Sequence, residues 1–199
     1  EDVSFGIAND VAGNSYVTGY FNGTAVFETA KVTSMGYSDI FIAKYDAAGN
    51  LAWVRTGGGT YQDEAYAIST DIAGNCYVTG YFTGNAVFSG TLLASAGYFD
   101  NDMLLLKYNP SGVLMWVKRA GGTANDIGYG VSVTNSGQVI VCGVFQGTNT
   151  FGGNILTKAG VNNAFVAKFE SNGKLSWAKS TSGANSSEYR QVSTDANGN

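Results

Sequence analysis

The side chains able to do acid–base or metal chemistry are 15 carboxylates and two cysteines; no histidine occurs in the 199 residues. That removes Ser-His-Asp and Cys-His nucleophilic arrangements and the usual imidazole ligands of zinc and haem. Paired carboxylates survive the exclusion, since Asp and Glu can serve as acid and base unaided. Their placement argues against catalysis, however. Asp10 and Asp71 hold equivalent places in one turn, Asp46 and Glu170 in another, and Asp2, Asp63 and Asp126 in a third position. A catalytic pair is asymmetric, whereas an acid repeated at fixed spacing serves a repeated structural need. No catalytic residue is assigned, and the chain reads as a non-enzyme.

Calcium is the sharpest metal candidate, because Asp-rich glycine turns can supply oxygen ligands. The turns Asp10 to Asn14 and Asp46 to Asn50 each hold one carboxylate, short of the alternating acids of a calcium loop. An Asx turn fits them better, so no cofactor is assigned. Gly57, Gly58 and Gly59 have no following Lys-Ser/Thr and no helix behind them, which excludes a phosphate loop. The run reads as a flexible connection. Cys76 and Cys142 sit in equivalent strands of different copies and read as small core residues, with a disulfide or reactive thiol as the alternative.

The elements that carry these residues are repeats. Asp10–Phe21 recurs as Asp71–Phe82, 61 positions on, and more loosely as Thr134–Phe145, a further 63 on. A fourth copy opens at Asp195 with Gly198 and Asn199. Trp53, Trp116 and Trp177 each lie 18 residues before the next copy. The two extra residues of copy two therefore fall between Phe82 and Asp102.

Within copy two, Ala65–Thr70, Cys76–Phe82, Met103–Tyr108 and Leu114–Lys118 read as four strands joined by turns, which makes an antiparallel meander. Runs such as Ile40 to Ala43 and Met103 to Leu106 are apolar on both faces and need cover on both sides. Stacked neighbours provide that cover. The fold class is all-β: β-propeller blades of about 61–63 residues, three complete plus one starting strand. The blades run 2–62, 63–125 and 126–186, with 187–199 beginning another; a β-solenoid is the runner-up. Gly19, Gly80 and Gly143 recur in mid-strand, where close approach of a neighbouring blade is expected and a local bulge is the alternative.

The pattern Asp-x-x-Gly-Asn-x-Tyr-Val-Thr-Gly-Tyr-Phe, followed by Asp39 to Trp53, resembles the bacterial seven-bladed β-propeller (SBBP-type) repeat. The likeness covers essentially the whole chain, and copy three departs at Thr134, Gln138 and Val144. It implies a secreted or cell-surface bacterial address and an architecture joined to adhesive modules. It brings no catalytic residues.

Net charge is −4 with scattered Lys and Arg, which disfavours nucleic acid or anionic lipid as partner. No apolar run is long enough to span a membrane as a helix. Three blades cannot close a ring of usual size, so the expectation is a stretch of a longer protein, its partners being further blades or copies of itself. The long connections 22–38, 83–101 and 146–162 share one face with the loops leading into each blade. They present Tyr37, Tyr61, Tyr98 and Phe99, rings suited to surface carbohydrate or protein, or else to covering the blade tops. Phe27, Phe88 and Phe151 recur in the same connections and read as packing residues. The function expected is a non-enzymatic extracellular scaffold, adhesin-like or filamentous. The alternative is a propeller with a defined glycan or protein site; a carboxylate-based enzyme comes last.

Overall fold

The structure is a computed structural model that describes residues 1–158, 160–183 and 185–195. Within these residues every regular element is a strand and all strand ladders are antiparallel. The first blade uses β1 (Asp2–Asn9), β2 (Ser15–Phe21), then a hairpin β3 (Thr24–Phe27) and β4 (Ala30–Thr33), then β5 (Asp39–Tyr45) and β6 (Leu51–Gly59). The second repeats the series as β7 (Glu64–Thr70), β8 (Cys76–Thr83), β9 (Asn85–Phe88), β10 (Thr91–Ala94), β11 (Asn101–Tyr108) and β12 (Leu114–Gly121). The third runs β13 (Asp126–Val133), β14 (Val139–Phe145), β15 (Thr148–Phe151), β16 (Asn154–Thr157), β17 (Asn163–Phe169) and β18 (Leu175–Ser180). The chain is a run of β-propeller blades.

The connections expected to be loops are therefore hairpins, and they do the joining. In the sheet order β1-β2-β5-β6-β9-β10, the hairpin of the second blade extends the sheet of the first. Gly57, Gly58 and Gly59 pair with Phe88, Val87 and Ala86. The glycine run is thus a buried strand end and not a flexible connection. A Cβ on Gly59 would stand 1.9 Å from the Asn85 carbonyl, and one on Gly122 would stand 1.8 Å from that of Thr148. Glycine is there so that two backbones can meet. The same pairing lengthens the fourth strand of copy two beyond Lys118 to Gly121, where Ala120 and Gly121 meet Phe151 and Thr150.

The mid-strand glycines are also explained differently from expectation. A Cβ on Gly19 would come within 1.9 Å of the Val3 carbonyl, in its own blade, opposite the register shift between Ser4 and Gly6. Gly80 and Gly143 repeat this against Glu64 and Ile127. The bulge is the cause. Close approach between blades is served elsewhere, as at Gly128, whose Cβ would lie 2.1 Å from Thr79 Oγ1.

Alternation along the two-faced strands builds one core per junction. Ile40 and Ile42 face the second blade, which answers with Leu104, Leu106, Val78, Phe82 and Phe88. The intervening Met103 and Leu105 face the third blade and meet Val139, Val141, Phe145 and Phe165. Phe41 and Ala43 point to the outer face of the first blade, under β3 and β4.

Candidate functional site

The turn carboxylates are fully engaged by their own turns. Asp71 Oδ1 accepts the backbone N–H groups of Ala73 and Asn75 at 3.0 and 2.9 Å, and Oδ2 accepts the Asn75 amide and the Tyr77 hydroxyl. Gly74 turns the chain at φ 78°. Asp10 and Asp46 do the same with Asn14 and Asn50. These donors hold the Asp10 and Asp46 carboxyls below the usual range; for Asp10, burial opposes them. No group of three or more acidic, Cys or His side chains gathers among the described residues. Cys76 and Cys142 are both buried and free, and burial pushes their thiols up to about 12 and about 11. They are packing residues, protonated at neutral pH.

The four rings singled out by sequence do come together, at the junction of the first two blades. Tyr61 lies 6.4 Å from Tyr98 and 5.3 Å from Phe99, ring centre to ring centre, and Tyr98 and Phe99 are 4.7 Å apart. Tyr37 closes the group by lining a cavity of about 320 Å³ with Tyr61, Gln62, Thr83, Phe99 and Asn101. Tyr37, Tyr98 and Phe99 remain exposed, at 72%, 73% and 68%, so they form a surface and not a satellite core. Phe88 and Phe151 are buried as expected, while Phe27 is half-buried on the β3–β4 hairpin, which pairs with no other strand among the described residues. The hairpins keep the 61-residue offset as far as Ser34 and Ser95, while β5 and β11 stand 63 apart. Phe99 and Asp100 are thus the two inserted residues. Tyr37 and Tyr98 occupy one repeat position, which Val161 holds in the third blade. The patch is therefore partly repeat and partly unique.

A second aromatic row went unnoticed in the sequence. Phe5, Tyr66 and Tyr129 are the extra residues of the three bulges. Their rings step across neighbouring blades at 5.0 and 5.5 Å, and the Arg190 guanidinium caps the row 4.7 Å from Tyr129. They line a groove of about 880 Å³ along the inner strands. The signal was available as equivalent positions, each about 14 residues before the mid-strand glycines Gly19, Gly80 and Gly143. The segment 187–195 lies against β13 and β14, with the Tyr189 N–H on Gly143 O of β14 and a hydroxyl pair between Ser132 of β13 and Thr194, and forms no ladder among the described residues. Of the fourth turn motif, only Asp195 falls among the described residues.

The blade junctions hold a third feature that sequence reading missed. Asp39 and Asp63 are both buried at the first junction, and Asp102 and Asp126 at the second. Asp63 accepts the Gly59 and Thr83 N–H groups at 2.7 and 3.1 Å. Burial nevertheless pushes it up to about 7, with the Asp39 and Glu64 charges adding to the shift. Asp126 accepts the Gly122 N–H and the Asn149 amide, and burial with the Asp102 charge takes it to about 8. Asp102 is raised less, to about 6, because Arg119 donates to it at 2.6 Å. The four acids fill two repeat positions, Asp39 with Asp102 and Asp63 with Asp126, of which the sequence reading noted the second; only packing shows that they are buried.

No family model matches the chain. A search of curated proteins finds similarity to an uncharacterized WD repeat-containing protein of Acanthamoeba polyphaga mimivirus, 28% identical over 169 residues. The match covers 73% of this chain and 12% of the length of that relative. It agrees with the blades in pointing to a repeat protein of β-propeller type.

Proposed function

We propose that the chain is the blade array of a non-enzymatic interaction scaffold, a stretch of an SBBP-type propeller carried at a bacterial surface. One observation carries the reading. The turn acids are committed to folding the blade, whereas Tyr37, Tyr98 and Phe99 stand open to solvent on one face, with the half-buried Tyr61 among them. A repeat propeller with committed acids and an exposed aromatic patch suits contact and not turnover. Similarity to a WD repeat-containing protein supports the scaffold. The bacterial surface address rests on the repeat resemblance alone. No helix among the described residues is long and apolar enough to cross a membrane. Protease shaving of intact source cells tests the address: release of peptides from these blades is expected, and recovery only after lysis would refute it.

The aromatic patch favours a second reading, a defined carbohydrate or protein site at the first junction. Tyr61 and the inserted Phe99 break the repeat, as a specific site must. A glycan array probed with the chain and with Tyr61→Ala tests this. Binding that Tyr61→Ala abolishes supports the site; blank arrays for both proteins refute its carbohydrate form.

A further inference from the structure

The two complete junctions bury the same pair of carboxylates, but only one supplies a cation of its own. At the second, Arg119 Nη1 sits 2.6 Å from Asp102 Oδ2. The equivalent residue at the first is Thr56, 63 positions earlier, which is neutral and too short to pair. Asp39 is 2% exposed, takes the Met35 N–H on Oδ2, and leaves Oδ1 without a hydrogen-bond partner; Asp102 Oδ1 is unpartnered likewise, but there Arg119 supplies the opposite charge. Asp63 is fully buried beside Asp39. A Cβ built on Gly58 would stand 2.7 Å from Asp39 Oδ1 and 2.8 Å from Asp63 Oδ2, so both oxygens converge on one point beside the glycine. Glu64 adds further negative charge, and the nearest Arg on β6, Arg55, is drawn to the far end of the strand by Gly112 O.

Two buried carboxylates with unused lone pairs form the start of a shell of hard oxygen donors. Uncompensated, such a pair is costly, because each charge has lost its water and repels the other. We infer that the first junction is a binding site for a hard divalent cation of the calcium class, held by Asp39 and Asp63. The ion does there what Arg119 does at the second junction. The remaining ligands are water and backbone carbonyls, as calcium's six to eight positions allow.

The test is a thermal unfolding series at pH 8 in chelator-treated, low-salt buffer, with calcium, magnesium or neither added back. Calcium is expected to raise the wild-type midpoint by about 5 °C when present at ~100 times its dissociation constant. Asp39→Asn is expected to abolish the rise. Thr56→Arg, which imports the residue of the second junction, is expected to raise the metal-free midpoint and also abolish the response. It guards against a folding failure of the first variant. Absence of any response to either ion in the wild type overturns the site, as does an undiminished response in both variants. A wild-type midpoint that falls between pH 5 and 8 equally with and without calcium assigns the carboxylate pair to a shared proton instead, and likewise overturns it.

Discussion

The first and second junctions share a backbone plan and differ in how they neutralise it. Both carry a hairpin added to the last strand of the preceding blade, and both close over a pair of buried aspartates. At the second, the Asp102–Arg119 pair leaves Asp126 the group raised furthest, to about 8, so at neutral pH the ensemble of one ionised acid, one protonated acid and one guanidinium is neutral. At the first there is no guanidinium. After the third blade the solution changes again: Asn163 stands in the place of Asp39 and Asp102, its amide donates to Thr181 O at 3.0 Å, and Ser187 stands in the place of Asp126. Repetition thus conserves the backbone contacts, which tolerate no substitution, while the side chains filling the same space vary in charge.

The largest effect should come from what the junctions share. Gly59→Ala and Gly122→Ala each drive a methyl group into a carbonyl oxygen across a strand pair. Each is expected to cost about 3 kcal/mol, near the upper end for overpacking, since backbone cannot swing aside. Urea unfolding midpoints at constant slope measure it. A loss below 1 kcal/mol in either protein would mean that the hairpin is not firmly docked there.

Arg119→Thr makes the second junction like the first. It removes the cation facing a fully buried carboxylate, and the cost is expected to be about 2 kcal/mol. That is less than for a fully buried pair, because the arginine side chain is 37% exposed and screened. Restoration of the lost stability by calcium would show that the variant has acquired the property inferred for the first junction.

A smaller, graded effect is expected from pH. Asp63 and Asp126 have folded-state values of about 7 and about 8, above those of an unfolded chain. Their favourable contribution is therefore complete below about pH 4 and lost as pH rises through 7 to 8. Asp10 and Asp46 are lowered and act oppositely, losing theirs as pH falls below the usual carboxylate range. Metal-free protein should be most stable near pH 4, and its stability should fall steadily from there to pH 8. Asp126→Asn should flatten the alkaline limb more than Asp63→Asn does, in melts taken from pH 5 to 9. A flat profile in the parent protein would sink the assignment of both.

Much of this was legible before any coordinates. Trp53 and Trp116, the Asp71-to-Asn75 turn and the doubly apolar Met103 to Leu106 carry the blade, because turn chemistry and alternation are local. The patch at Tyr61 and Phe99 was also found, since exposed aromatics beside an insertion stand out. Three features escaped. The hairpins in 22–38 and 83–101 are built of four-residue strands, and β9 takes its second partner from the preceding blade, so local pattern gives little sign of them. The Gly57 to Gly59 run looked flexible because glycine's close-contact role depends on a strand about 30 residues away. Asp39 and Asp102 resembled ordinary strand-end acids, and burial is decided by the neighbour that stacks on them.

The smallest effect separates the junctions at their opposite end. Trp53 Nε1 donates to Pro110 O at 3.0 Å, joined there by Lys44 Nζ at 3.1 Å, while Arg55 Nε holds Gly112 O at 2.7 Å. Trp116 and Lys107 both reach Ser171 O at the second junction, at 3.2 and 3.3 Å, with more exposure to solvent. Trp177 has no such acceptor among the described residues and is 38% exposed. Phenylalanine keeps most of the ring and removes the donor, leaving the carbonyl to its lysine. Trp53→Phe should therefore cost about 1 kcal/mol, Trp116→Phe about half that, and Trp177→Phe nothing measurable in this chain. Equal losses at all three would assign the tryptophans to packing within a blade and remove them from the clamp between blades.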